Sequence, residues 1–179
     1  FNFPKILLLT MQGGYLAGNQ VGLEMAPAET FDGFYEQYKM QVEHFINEYA
    51  ETANLACQFF NEKYKRPLVS SVISGCIDKA QLADEGGAYF WHKCMNSSGL
   101  GTAIDSLVAI YDVVYDKKLK TMDEFVKILD NDFYGEEAFR LYLVNKLPKY
   151  GNGDPMVDGL AKDFVDFYCA AVSKCKTWN

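Results

Sequence analysis

The stretch LPKYGNGD, residues Leu147–Asp154, lies between two segments with helical patterns. Pro148 predicts the end of the first helix, Glu136–Lys146, because proline disfavours the helical conformation in the residue before it. Asp154 and Pro155 predict the start of the second helix, since aspartate caps helix N-termini and proline fits the first turn. One face of this second helix is apolar at Val157, Leu160, Phe164, Phe167, Tyr168 and Ala171.

Helical patterns also cover much of the chain before this stretch. Thr30 is the expected N-cap of a long helix, in which apolar side chains recur every three or four residues through Phe60. Pro4 predicts the start of a shorter helix, Lys5–Met11, which a glycine pair ends. Residues 15–29 have the composition of a loop.

Two further helices and one ambiguous segment follow. Ala103–Tyr115 is apolar at helical spacing, and a capping box at Thr121 and Glu124 begins a helix that extends through Leu129. Leu68–Ile73 is short and rich in β-branched residues, so its pattern fits a strand and a buried helical turn equally well.

The stretch AYFWHKCMNSSG, residues Ala88–Gly99, has the most unusual composition. It is aromatic at first, then small and polar, and glycines bound it on both sides. This order predicts a strand that leads into a tight loop.

Composition excludes several classes of protein. The 179 residues suit one domain and include 17 Lys and Arg against 24 Asp and Glu, with arginine only at Arg66 and Arg140. This acidic balance disfavours binding to nucleic acid and to anionic membrane surfaces. Five cysteines without a C-x-x-C pair favour a reducing compartment. No apolar run reaches the length of a membrane span.

Local patterns alone assign no chemistry. His44 fits the solvated face of the long helix, and His92 lies two residues from Cys94, where a strand would put both side chains on one face. Ordinary packing of a strand is the favoured explanation of that pair. Zinc-ligand spacings and phosphate-binding glycine loops are missing from the sequence.

Several strings resemble those of glycyl radical enzymes of the pyruvate formate-lyase family. The string PKYGNGD, followed by Val157 and Asp158, is similar to that family's P-K-Y-G-N-D motif. Other strings follow in the family's order over nearly the whole chain: Phe3–Ile6, Arg66–Lys79, Glu85–Ala88 and Asp105–Ile110. The resemblance is to the branch of diol dehydratases, choline and isethionate lyases, arylacetate decarboxylases and arylalkylsuccinate synthases.

The resemblance implies an α/β fold, with residues 1–179 as a helix-rich internal part of one ten-stranded α/β barrel domain. In the family, a cysteine in a Gly-Cys-x-Glu loop and a glycine in an R-V-x-G-Y/F string carry the radical chemistry. The segment Ser74–Asp78 resembles the first loop. The residues around it, however, match a later part of the family's sequence, in which the cysteine, here Cys76, is structural. Both loops are therefore expected outside this sequence, upstream of Phe1 and beyond Asn179, and no catalytic residue is assigned within it.

The resemblance also implies an activity. The expected parent chain is a radical lyase, of the dehydratase, C–N or C–S lyase or decarboxylase type, acting on a small organic substrate in anaerobic metabolism. Alternatives are an arylalkyl-addition transferase and a non-catalytic fragment of the fold. No cofactor is expected on this segment, and the parent is expected to carry a glycyl radical. Expected partners are a radical-SAM activating enzyme and a second copy of the chain, in the cytoplasm.

The expected substrate-binding residues lie where the sequence departs from the family. Phe90 and Trp91 stand where many relatives have Tyr-Asn, and Asn96 and Ser97 where they have Gln-Gly. The bulky aromatic residues suit either a substrate pocket or the core. Hydroxyphenylacetate decarboxylase carries a carboxylate near the position of Asn96, so its absence disfavours that activity. The substrate-binding candidates are Trp91, Asn96, Ser97 and Ser98.

A regular strand would divide these candidates between two faces. Cys94 is expected to face the barrel wall, because an exposed thiol would compete for a radical hydrogen. Alternation then places Asn96 beside Cys94, and Ser97 on the opposite face with Trp91. On this argument Ser97 is preferred over Asn96 as the residue that reaches the cavity.

Overall fold

The computed structural model describes residues 1–90 and 94–177, and most of these are helical. A two-stranded hairpin stands near the start of the chain. A single 3-10 turn covers Ala83–Glu85, and a π-helical turn covers Tyr111–Asp116. The elements are α1 (Phe3–Met11), β1 (Tyr15–Leu16), β2 (Asn19–Gln20), α2 (Phe31–Lys63), α3 (Pro67–Ser71), α4 (Leu100–Ile110), α5 (Met122–Asp130), α6 (Glu137–Asn145) and α7 (Pro155–Ser173).

The chain forms two compact units. Unit 1 comprises residues 1–45 and 96–170, and unit 2 comprises residues 46–95 and 171–179. In unit 1, aromatic rings join α1, α2 and α7. Tyr38 stacks on Phe164 with ring centroids 5.2 Å apart, and Phe3 meets Phe164 edge-on at 5.0 Å. The hydroxyl of the fully buried Tyr38 donates to the carbonyl of Phe3 at 3.2 Å, so that its polar atom is satisfied.

Side-chain caps begin the helices where the sequence predicts them. The Thr30 hydroxyl accepts the backbone N–H of Gly33 at the start of α2. Thr121 and Glu124 form both halves of the predicted capping box of α5. Asp154 accepts the N–H groups of Met156 and Val157 in the first turn of α7. These three predicted helix starts are therefore confirmed, whereas α4 begins at Leu100 rather than at the predicted Ala103.

Carboxylates from two helices hold the stretch Leu147–Asp154. Asp105 of α4 accepts the N–H of Tyr150 at 2.8 Å, and Asp158 of α7 accepts the N–H of Gly151 at 3.2 Å. Two strings that resemble family motifs, DSLVAI and PKYGNGD, therefore contact each other directly.

Three elements differ from the predictions. The predicted loop begins with the hairpin β1–β2, because Ala17 and Gly18 both take positive φ and build the tight turn such hairpins need. The ambiguous segment forms helix α3 at Pro67–Ser71. The helix expected to end at Tyr115 changes to π geometry at Tyr111, where the N–H of Lys117 reaches back to the carbonyl of Asp112.

The strand predicted within Ala88–Gly99 is wrong for the residues that the structure describes there. Residues 88–90 form a bend, because the N–H of Tyr89 donates to Ser74 and the Lys79 ammonium donates to the carbonyl of Ala88. Among the described residues of this stretch, strand-like pairing is confined to residues 96–98, around a single bridge at Ser98, and residues 94 and 95 form no such pairing. Residues 91–93, among them Trp91 and His92, lie outside the described residues.

Within the described ranges, no helix has the length and apolar character needed to cross a membrane.

Candidate functional site

Residues 96–98 pair in parallel with residues 1–3 in unit 1. The Phe1 nitrogen donates to the carbonyl of Asn96 at 2.6 Å, and the N–H of Ser98 donates to the carbonyl of Phe1 at 2.8 Å. The N–H of Phe3 then donates to the carbonyl of Ser98 at 3.1 Å, and Asn2 is the bridge partner of Ser98. These evenly spaced bonds are those of a parallel ladder between two strand ends.

Each of these strand ends leads directly into a helix. Phe3 begins α1 directly after Asn2, with Pro4 in its first turn. Gly99, with a φ of 79°, turns the second strand end into α4. A Cβ at Gly99 would lie 2.6 Å from the Cδ of Pro4, so only glycine allows the two turns to approach this closely. Two adjacent parallel strands that both continue into helices are typical of α/β sheets and barrels, which bind ligands at this edge.

The pairing places the predicted residues on definite faces. Phe1 and Phe3 both contact Tyr168 of α7, with centroids 6.3 and 5.1 Å away, so their face is covered by the helix. Asn2 lies on the opposite face, and its partner Ser98 shares that face because paired residues of a ladder point the same way.

Alternation along the second strand end extends this assignment. Asn96 falls on the face of Ser98, and Ser97 falls on the helix-covered face. On this alternation Asn96 and Ser98 face away from the helices, whereas the argument from the sequence preferred Ser97. Asn96, Ser97 and Ser98 are all exposed, as is Cys94. The Ser98 hydroxyl donates to the carbonyl of Phe1 at 3.1 Å.

Cys76 lies in unit 2 in an environment that suits a structural cysteine. It is 4% exposed and clusters with Ala83 and Ala88. The loop around it closes tightly, since a Cβ on Gly87 would lie 2.1 Å from the carbonyl oxygen of Gln81. A thiol packed against small apolar side chains behaves as a hydrophobic residue.

Residues 1–90 and 94–177 contain no cluster of three His, Cys, Asp or Glu side chains that could hold a metal ion. The Cys94–His92 couple cannot be placed, because His92 lies outside these ranges. His44 is half-buried on α2 beside Phe45.

One polar cluster was not predicted from the sequence. The Tyr142 hydroxyl of α6 donates to the Asp112 carboxylate at 2.7 Å, and the Lys117 ammonium donates to the same carboxylate at 2.6 Å. The hydrogen bond to Asp112 is the main reason that the pKa of Lys117 is raised. The cluster fixes the π-helical turn to α6, and no sequence motif indicates it because its members come from separate elements.

Unit 1 also contains an open groove of about 1160 Å³, between the end of α1, the loop before α2, the π-helical turn and α5. Its lining includes Met25, Phe31 and Tyr115, but not Asn96, Ser97 or Ser98. The groove and the paired strand ends are therefore separate features of unit 1.

Comparison with known proteins identifies the family. The family described as pyruvate formate lyase-like matches residues 1–179. The chain belongs to this family. Among curated relatives, it is 34% identical to the trans-4-hydroxy-L-proline dehydratase of Clostridioides difficile over 93% of this chain and 22% of that protein. It is 29% identical to the (2S)-3-sulfopropanediol dehydratase of Klebsiella oxytoca, over 98% of this chain and 22% of that protein.

Solved structures show the same relationship at the level of the fold. The glycerol-bound B12-independent glycerol dehydratase from Clostridium butyricum matches with a TM-score of 0.89 and 31% identity, over 99% of this chain and 23% of that one. Hydroxyproline dehydratase from Clostridioides difficile matches with a TM-score of 0.87 and 32% identity, over 94% and 22%. This pyruvate formate lyase-like chain thus has the fold of a helix-rich segment of glycyl radical enzyme barrels and spans under a quarter of its relatives' length.

Proposed function

We propose that this pyruvate formate lyase-like chain is part of a glycyl radical enzyme that performs radical lyase chemistry on a small organic substrate. The paired strand ends at Asn2 and Ser98 carry the proposal, because they present polar side chains at the edge where α/β barrels bind ligands. The named relatives support it, since they include dehydratases, an isethionate sulfite-lyase and a 4-hydroxyphenylacetate decarboxylase.

In this proposal, residues at the strand end bind and orient the substrate. Asn96, Ser97, Ser98 and Trp91 are the proposed contacts, and the pairing favours Asn96 and Ser98 because they lie away from the helices. Their amide and hydroxyl groups suit a substrate with hydroxyl, carboxylate or sulfonate oxygens. This polarity favours dehydratase and C–S or C–N lyase chemistry over addition to an arylalkyl substrate.

The radical itself is proposed to reside elsewhere in the protein. A glycyl radical supplies the hydrogen-abstracting chemistry of such enzymes, and the contribution of this segment is to hold substrate and exclude water from a closed barrel. An activating radical-SAM enzyme, a homodimeric assembly and a cytoplasmic, anaerobic setting complete the proposal.

Anaerobic activation of the full-length protein tests this function. The protein is incubated with a radical-SAM activating enzyme, and electron paramagnetic resonance is expected to show a glycyl doublet. A panel of trans-4-hydroxy-L-proline, glycerol, isethionate and 4-hydroxyphenylacetate then tests turnover, and one of the first three is expected to react. The 179-residue chain alone serves as the control and is expected to acquire no doublet. Absence of the doublet from the activated full-length protein would refute the proposal.

A further inference from the structure

We propose that Asn2 contacts the substrate, with its side-chain Nδ2 donating a hydrogen bond to a substrate oxygen from the face it shares with Asn96 and Ser98. This inference rests on the proposed function. It adds a residue that the sequence analysis did not single out, because Asn2 looks like an ordinary helix cap until its strand pairing is seen.

The orientation of Asn2 follows from the ladder. Phe1 and Phe3, its two neighbours, contact α7 on one face, so the Asn2 side chain projects from the other face. In an α/β barrel the helices form the outer layer, and the strand face away from them lines the interior. Asn2 therefore lines the barrel interior beside its bridge partner Ser98.

The amide of Asn2 is already oriented for this task. Its Oδ1 accepts the N–H of Lys5 at 3.0 Å, and this cap fixes the plane of the amide. Its Nδ2 donates to none of the residues in ranges 1–90 and 94–177, and the residue is exposed. A donor held in place before binding loses little conformational entropy when it meets its acceptor.

The chemistry of the amide defines the class of ligand. A neutral N–H donor suits an uncharged hydroxyl oxygen as well as a carboxylate or sulfonate oxygen. Unlike a thiol, an amide does not compete for the hydrogen that a radical removes from the substrate. Asn2 would thus fix the orientation of an oxygen substituent without titrating near neutral pH.

A crystal structure of the full-length protein soaked with glycerol tests the inference. We expect Asn2 to line the interior cavity, with its Nδ2 within hydrogen-bonding distance of a glycerol oxygen. An Asn2 packed against other protein atoms, or an interior cavity that it does not reach, overturns the inference whether or not glycerol is visible. Glycerol bound in the cavity without contact to Asn2 also overturns it.

Matched variants of the activated enzyme separate binding from folding. Asn2→Ser keeps a capping side chain for α1 but loses the amide donor, so we expect KM for the panel substrate that reacts to rise about tenfold with little change in kcat. Asn47→Ser, on an exposed position of α2, is the control and leaves KM unchanged. The glycyl doublet should persist in both variants. A doublet missing from the wild type refutes the proposed function, whereas a persistent doublet with an unchanged KM in Asn2→Ser refutes only the role of Asn2.

Discussion

The Tyr142 hydroxyl donates to the Asp112 carboxylate at 2.7 Å, and this bond joins α6 to the π-helical turn that follows α4. The Lys117 ammonium, at the end of that turn, donates both to this carboxylate and to the Tyr142 hydroxyl, so the three side chains form a triangle of hydrogen bonds. A π-helical turn is less favourable than a continued α-helix, and contacts outside the helix must stabilise it. The triangle supplies such contacts.

Replacing Tyr142 with phenylalanine is expected to loosen the π-helical turn. The change leaves the ring in place and removes two hydrogen bonds, the one donated to Asp112 and the one accepted from Lys117, so amide exchange in residues 111–117 should accelerate about fivefold. Hydrogen exchange measured by mass spectrometry tests this. Tyr134→Phe is the control, because Tyr134 is 86% exposed, and it should leave the same peptides unchanged. Equal exchange in both variants would contradict a stabilising role for the triangle.

Gly99 is expected to be essential for pairing of the two strand ends. Alanine there would meet Pro4 at 2.6 Å in addition to the strain of a positive φ, so the N–H groups of Ser98 and Phe3 should lose protection from exchange. Gly151→Ala is the matched control: its φ is also positive, but no atom lies within 4 Å of the added Cβ. Retained protection of Ser98 in Gly99→Ala would show that the close approach to Pro4 is not needed.

The predictability of the fold depended on how far apart the interacting residues lie in the chain. Caps such as Thr121 and Asp154 act within one helical turn, so the sequence revealed them directly. The pairing of Phe1 with Ser98 joins residues 97 positions apart, and no local pattern encodes its register. The preference for Ser97 came from assuming a regular strand through Cys94, whereas the residues described before Asn96 form no ladder.

The capping box of α5 predicts a pH dependence. The pKa of Glu124 is lowered, chiefly because its carboxylate accepts the Thr121 N–H and also the Thr121 hydroxyl. A lowered pKa in the folded state means that this carboxylate stabilises the fold above its unfolded pKa, and that the contribution is lost as pH falls through the lowered value.

Nuclear magnetic resonance titration of the Glu124 carboxyl carbon measures this shift. Thr121→Val removes the hydroxyl but keeps the N–H, so the pKa should move only part of the way back toward that of an ordinary glutamate. Glu124→Gln should abolish the associated pH dependence of amide exchange in Met122–Phe125. A Thr121→Val variant whose Glu124 pKa equals that of the wild type would show that the hydroxyl contributes nothing.

Two glycine-to-alanine changes are expected to have opposite effects on stability. In Gly87→Ala, the Cβ would lie 2.1 Å from the backbone oxygen of Gln81, so the loop around Cys76 should open and become sensitive to proteolysis. In Gly159→Ala, on an open face of α7, the better helix former should stabilise the protein by about 1 kcal/mol. Limited proteolysis and thermal unfolding measure the two effects, and a Gly87→Ala loop that resists cleavage would contradict the first.

The isolated 179-residue chain is expected to self-associate through unit 2. Leu68 and Val72, one helical turn apart, are 85% and 84% exposed, and Phe90 is 93% exposed. Large apolar side chains grouped on a surface favour association, and net negative charge opposes it only in part. Sedimentation velocity should show oligomers for the wild-type chain and smaller species for the double variant Leu68→Lys, Val72→Lys. The double variant Leu141→Lys, Val144→Lys, which adds the same charge at exposed positions of α6, should leave the oligomers in place, because only unit 2 is expected to carry the contact. A wild-type chain that stays monomeric as its concentration rises would contradict this prediction.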